Sequence, residues 1–436
     1  MVLRSLFAAA VALALPAFTG AAEPTPPKGF TAIFNGTDLA GWHGWAIHDK
    51  GASPPEMAKA KPEDNAKLVE KYTADAKKHW TAKDGELIND GHGAYLATEK
   101  EYGDYELLID YKTVAKADSG IYLKTSPQVQ IWDFTDKTKF PLGADKGSGG
   151  LWNNSAGAAG KDPLVLADKP LGEWNSFRIS QLGERTTVYL NDKLVVDHAR
   201  MENFWNRKIP QPVKGKILLQ THGGEIRWRN IFVREIKTEE ANKLLAEKIG
   251  TGFTDLFNGK DLTGWTGATD NYEVVDGTIA CKKGTSGVLF TKEEYADFQV
   301  ALEIKLPKNG NNGLGIRYPG KGDGAYSGMC ELQVLDDAYK GIDPRQAHGS
   351  AYGMFAAARG YQRPIGEWNY QVCTIKGSTI QVELNGTKIL DCDLATVKEL
   401  MANSPHPGKD RTTGHFAFLG HGDGVMFQNV KIKVLK

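Results

Sequence analysis

The stretch GFTAIFNGTDLAGW, from Gly29 to Trp42, returns as GFTDLFNGKDLTGW from Gly252 to Trp265. A phrase spelled twice is either a reused turn or the mark of a duplicated domain, and the blocks that follow decide between them. EYGDYELLIDYK (Glu101–Lys112) is answered by EYADFQVALEIK (Glu294–Lys305), DSGIYLK (Asp118–Lys124) by NNGLGIR (Asn311–Arg317), and QVQIWD (Gln128–Asp133) by ELQVLD (Glu331–Asp336). LGEWNSFRI pairs with IGEWNYQVC and VYLNDKLVVD with VELNGTKILD, always in the same order. The chain therefore reads as two copies of one domain.

The matched blocks carry strand signals. YELLIDYKTV and FQVALEIKL alternate or run apolar, and two apolar runs in each copy are split by Asn-Asp or Asn-Gly, a hairpin signal because both central residues must accept φ > 0. Many short strands with regular turns predict an all-β chain of two tandem jelly-roll sandwiches of the lectin or glucanase kind. The 49 glycines, ten tryptophans and fifteen tyrosines fit that class, and aromatic faces also suit sugar binding. The predicted organisation is a first sandwich over 23–237 with a helical insert at 46–79, a linker helix over 238–250 and a second sandwich over 251–436. Lys237–Gly250 has a capped helix start at Thr238 and a glycine stop.

Residues 1–22 have one Arg, a short apolar run and small residues at the end, the pattern of a cleavable signal peptide. The run is too short to span a bilayer and no Cys lies near the cleavage point, so the expected location is periplasmic or extracellular, without a lipid or membrane anchor. Lys plus Arg and Asp plus Glu both total 53, so no global field favours nucleic acid or an anionic membrane. All four cysteines, Cys281, Cys330, Cys373 and Cys392, fall in the second copy. An oxidising compartment permits disulfides among them, and three pairings stay open.

With these blocks in view, the chain resembles the 3-keto-disaccharide hydrolase domain family. The resemblance rests on FNGTDLAGW, DSGIYLK, QVQIWD, GEWN, LND and LQTHGGEIRWRNI in the first copy, and on FNGKDLTGW, NNGLGIR, ELQVLD, GEWN, LNG and FQNV in the second. It implies a concanavalin-like jelly roll and cleavage of glycosides oxidised to a ketone at carbon 3. A C3 ketone acidifies the C2 proton, so such chemistry needs a base, a donor for the enolate oxygen and an acid for the leaving group.

In the second copy Glu331 is the candidate base, Arg317 the candidate enolate clamp and His348 a candidate acid or base. Gln333, Asp336, Tyr352 and His421 are candidate substrate contacts. Side chains two apart on a strand share a face, which groups Glu331 with Gln333. The alternative for Glu331 and Arg317 is a cross-strand ion pair on a solvent face, worth under about 1 kcal/mol; for Asp336 it is a turn cap. The first copy has Lys124 for Arg317, Gln128 for Glu331 and Ser148 for His348, and keeps Gln130, Asp133, Trp152, Asn153 and His222 as candidate contacts. Losing the carboxylate leaves it either a chemistry of its own or a binding module. No cofactor is demanded, although Glu, Asp, Gln and His can ligate a divalent metal. The expected partner is a 3-keto-glycoside. The alternatives are a lectin-like protein without catalysis and an ordinary glycoside hydrolase, for which a Glu-x-Asp-x-x-Glu pattern is missing.

Overall fold

A computed structural model describes residues 25–436. The signal-peptide segment at 1–22 lies outside the described residues. Each copy is a sandwich of one eight-stranded and one five-stranded antiparallel sheet. In the first copy the large sheet runs Lys193–Arg200, Arg185–Leu190, Asn175–Leu182, Tyr105–Thr113, Ile226–Glu235, Glu86–Asn89, Trp80–Lys83, with Thr31–Ala32 paired beside Ile226–Glu235. Its small sheet runs Trp42–Trp45, Tyr95–Thr98, Leu218–Leu219, Asp118–Leu123, Ser126–Trp132. The second copy repeats both orders, and its small sheet runs Trp265–Gly267, Gly287–Tyr295, Gly414–Gly420, Asn311–Tyr318, Cys330–Leu335.

Alternation explains the layers. In Tyr105–Thr113, Tyr105, Leu107, Ile109, Tyr111 and Thr113 are buried and the residues between them are half-buried. The hairpin signals form the predicted turns: Asn191 and Asp192 have φ 49° and 63°, Asn385 and Gly386 have 51° and 77°. The strands Asp118–Leu123, Ser126–Trp132 and Cys330–Leu335 are buried at every residue, because loops cover the side of the small sheet that faces away from the core. That far face is where the polar side chains gather.

The insert folds as α1 (Pro54–Met57) and α2 (Pro62–His79). Tyr72 and Ala76 of α2 are buried, and the helix packs on Trp42–Trp45, the edge strand of the small sheet. There Gly44 N donates to Thr73 Oγ1 at 3.1 Å. The linker is α3 (Thr238–Glu247). Its Ala241 and Leu245 join Leu182 and Ile236 of the first copy and Ala301 and Tyr370 of the second in one apolar cluster. A one-turn helix, α4 (Gly324–Ser327), follows strand Asn311–Tyr318. All four cysteines are free thiols. Among the described residues no helix is long and apolar enough to cross a membrane.

Candidate active site

On the strand Cys330–Leu335, Leu332 and Val334 point into the sandwich core and Glu331, Gln333 and Leu335 line a cavity of about 580 Å³ on the far face. Asn311 from the neighbouring strand, Tyr326 and Asp323 from the α4 loop, Tyr352, Gln346 and His421 complete its wall. Glu331 owes its place to a glycine. A Cβ on Gly313 would overlap the Glu331 carboxyl, so the side chain lies flat across the neighbouring strand. The carboxyl is buried, and that burial raises it to about 8, with the charge of Asp323 adding to the shift. Gln333 Nε2 donates to Asn311 Oδ1 at 2.9 Å. Gln346 Nε2 donates to Tyr352 Oη at 3.2 Å, and the Tyr352 ring meets Tyr326 edge-on with centroids 6.2 Å apart. Burial first, and the nearby Tyr352 second, raise the Tyr326 hydroxyl, which stays a donor.

Three of the second copy's candidate residues, Arg317, His348 and Asp336, lie elsewhere. Arg317 is 2% exposed and points away from the cavity. Its Nε donates to Ala296 O at 2.8 Å, its Nη1 to Gly377 O and Arg411 O, and its Nη2 to Asp297 Oδ1 at 2.9 Å. The physical reason is a register shift between Gly315 and Tyr318: Arg317 has φ 50°, which breaks the two-residue alternation. Neither an enolate clamp nor a cross-strand partner of Glu331, it fastens the small sheet to the hairpin turn at Gly377. Lys124 does the same in the first copy, with φ 51° and Nζ donating to Gly183 O at 2.8 Å. Asp297 and its counterpart Asp104 each accept the N–H of the glycine concerned, at 2.9 and 2.8 Å.

His348 sits between the sheets. It accepts from Leu335 N at Nδ1 (3.4 Å), which places the proton on Nε2, donated to Gln371 Oε1 at 2.9 Å. Burial lowers its pKa, so the ring is neutral and structural. Ser148 holds Trp132 N in the same way at 2.9 Å. Asp336 accepts from Asn309 N and Ala338 N, and Asp133 from Lys116 N and Thr135 N, so both are loop caps. The candidate ligands Glu331, Asp336, His348 and His421 do not converge, and among the described residues no group of three or more His, Cys, Asp or Glu is arranged to hold a metal.

The far face of the first copy brings together Gln128, Gln130 and His222. Gln128 lies over Gly120, where a Cβ would come within 2.8 Å of it, and donates to Gln130 Oε1. Gln130 Nε2 donates to Asp118 Oδ1 at 2.8 Å, while Lys139 Nζ (2.6 Å) and His222 Nδ1 (3.0 Å) meet Asp118 Oδ2. Burial pushes the Asp118 carboxyl up, but the bonds from His222 and Lys139 outweigh it and hold it below the usual range. The same bond to Asp118 raises His222. Trp152 meets Trp132 edge-on at 6.1 Å; Asn153 accepts from Arg207 through its carbonyl and touches none of this cluster.

Sequence reasoning missed Asn311, Asp323, Tyr326 and Gln346 in the second copy and Asp118 and Lys139 in the first. A signal existed for the α4 loop. Thirteen residues separate Arg317 from Glu331, whereas three separate Lys124 from Gln128, so the copies differ by an insertion beside the candidate base.

A family described as the 3-keto-alpha-glucoside-1,2-lyase-like domain matches residues 29–234 and again 252–433. A curated protein of Bacteroides thetaiotaomicron, a 3-keto-disaccharide hydrolase, is 26% identical over 251 residues, covering 47% of this chain and 86% of its own length. Two solved structures from Parabacteroides distasonis, assigned as glycosyl hydrolases, are 29% and 25% identical. The first covers 46% of this chain and 99% of its own with TM-score 0.38, the second 42% and 100% with TM-score 0.39. Each of these relatives spans about half of this chain. The two family matches follow the two sandwiches in order, and the chain belongs to the 3-keto-alpha-glucoside-1,2-lyase-like domain family, with two copies of that domain in tandem.

Proposed function

We propose that the protein is a carbohydrate-active hydrolase that cleaves 3-keto-glycosides in the cavity of the second copy. The observation that carries this reading is Glu331: a buried carboxyl raised to about 8, in a cavity large enough for a sugar ring and lined by no lysine or arginine. A base of that strength suits a proton beside a ketone, since proton transfer works best when the base approaches the acidity of the carbon. Family membership and the name of the Bacteroides relative support the substrate class.

The steps follow from the lining. Ionised Glu331 takes the C2 proton, and the electron pair moves into the C2–C3 bond and onto the ketone oxygen. Tyr326 and Tyr352 supply O–H donors for that oxygen in place of Arg317. As the enolate collapses, the bond from C1 to the leaving oxygen breaks, and that oxygen takes a proton from His421 at the rim. Water then adds at C1, losing a proton to His421 as Glu331 returns its proton to C2, which completes hydrolysis with one water consumed and both groups restored. The leader-like segment at 1–22 supports export.

The test pairs a 3-keto-glucoside with its unoxidised glucoside. Release of 3-keto-glucose from the first alone is expected, and Glu331→Gln should lower kcat at least about 1000-fold, since it removes the base outright. Glucose released from the unoxidised substrate, or full turnover by the variant, overturns the reading.

A further inference from the structure

The two copies keep their carboxylates on opposite strands. In the second copy the acid is Glu331 and the facing strand offers the amide Asn311; in the first, Asp118 stands at the Asn311 position and the amide Gln128 at the Glu331 position. The glutamine between them, Gln333 or Gln130, donates across in both. This exchange gives the two sites different sets of charged groups. The second cavity is lined by Glu331 and Asp323 and by no lysine or arginine. In the first copy one carboxylate, its side chain 9% exposed, is flanked by Lys139 and His222.

One cation would balance Asp118. Lys139 supplies it, and His222, when protonated, adds a second that the same carboxylate stabilises, which leaves a surplus positive charge at the surface. Lys139 spends one of its three N–H donors on Asp118, and the His222 side chain is 58% exposed, with its bond to Asp118 made through Nδ1. Aromatic surface lies alongside. Lys139 stands 5.6 Å from the Trp132 ring centre and Lys161 stands 5.4 Å from that of Trp152. The floor is also different: Tyr122 replaces Gly315, and its hydroxyl is bonded to His48 Nε2 at 2.7 Å. Without a carboxylate at position 128 and with a tyrosine filling the floor, this face is better built to hold a ligand than to abstract a proton.

We propose that the far face of the first copy's small sheet binds an anionic sugar, one bearing a carboxylate or a sulfate, whose oxyanion is taken by Lys139 and His222 while the sugar ring rests beside Trp152. The charged and titratable groups facing His222 are Asp118, Lys139 and, from the insert, His48 with the Asp49 carboxylate beside it. Asp118 raises His222, so the site keeps its second cation into a higher pH range than a free histidine would.

Isothermal titration of the full chain tests this with three probes: a disaccharide ending in glucuronate, a sulfated disaccharide and neutral cellobiose, at pH 6 and pH 9. At least one anionic probe is expected to bind at least about tenfold tighter than cellobiose at pH 6, and more weakly at pH 9. Which of the two binds better identifies the oxyanion. Lys139→Ala, with Lys139→Gln as the milder variant, should weaken binding by about tenfold, the worth of one charge-assisted hydrogen bond. His222→Gln should flatten the dependence on pH. Glu331→Gln should leave this binding intact, which separates its failure from failure of the 3-keto-glycoside reading. Equal affinity for cellobiose, no heat with any probe, or loss of binding in Glu331→Gln but not in the folded Lys139 variants would overturn the proposal.

Discussion

In the proposed reaction Glu331 ties turnover to pH through one buried proton. Its folded-state pKa, about 8, lies above the ordinary carboxyl value of 4.5. As the proposed base it must be ionised, so kcat/KM for a 3-keto-glucoside is expected to rise with pH through about 8 and level off above it. Stability runs the other way. Between 4.5 and 8 the folded state binds the proton that the unfolded state has released, so stability falls as pH rises across that window. Glu331→Gln should remove that part of the slope, and urea midpoints for both proteins at pH 5, 6.5 and 8.5 would show it. A rate that falls towards pH 8 would make Glu331 an acid instead. This residue was legible as a candidate because its strand obeys strict alternation. Arg317 was misread for the complementary reason: its left-handed φ reverses the side chain, and an arginine at positive φ leaves no mark in a sequence.

Elements were read more securely than the bends between them. The hairpins at Asn191 and Asn385 and the helical insert all follow from local signals that need no tertiary context. What the insert rests on did not. Gly44 carries α2 against the edge strand Trp42–Trp45, and a Cβ there would overlap the backbone carbonyl of Tyr72. A backbone carbonyl inside a helix cannot swing aside as a flexible side chain can. Gly44→Ala is therefore expected to lever α2 off the strand, exposing Tyr72 and Ala76 and costing about 2–3 kcal/mol. Thermal melts would register this as a fall of several degrees, with new proteolytic cleavage inside 54–79. An unchanged melting temperature would mean that α2 is held by its other contacts. Covering the edge strand also protects it from pairing with other chains, so the variant should aggregate more readily.

At the scale of the whole molecule, the duplication is plain from the ordered repeats, while the way the copies are joined is written in residues that look ordinary in sequence. Arg363 of the second copy donates to Asp104 of the first at 2.7 Å, and Asp104 also holds Gly183 N beside the Lys124 contact. Arg185 Nε donates to Glu383 Oε1 at 3.0 Å across the same junction, and α3 contributes the apolar cluster centred on Ala241 and Leu245. None of these contacts lies within one domain's own pattern, so no periodicity could announce them. Together they predict that the two sandwiches unfold as one unit. Leu245 is 2% exposed, and burying it contributes about 2 kcal/mol. Leu245→Asp adds the cost of a buried unpaired charge at a place where neither core is touched. Differential scanning calorimetry of the native chain should show one transition, and the variant two, separated because each sandwich then melts at its own stability. Two transitions in the native chain would mean that the junction is too weak to couple the copies, and the different charged groups on their far faces would then belong to two independent domains on one chain.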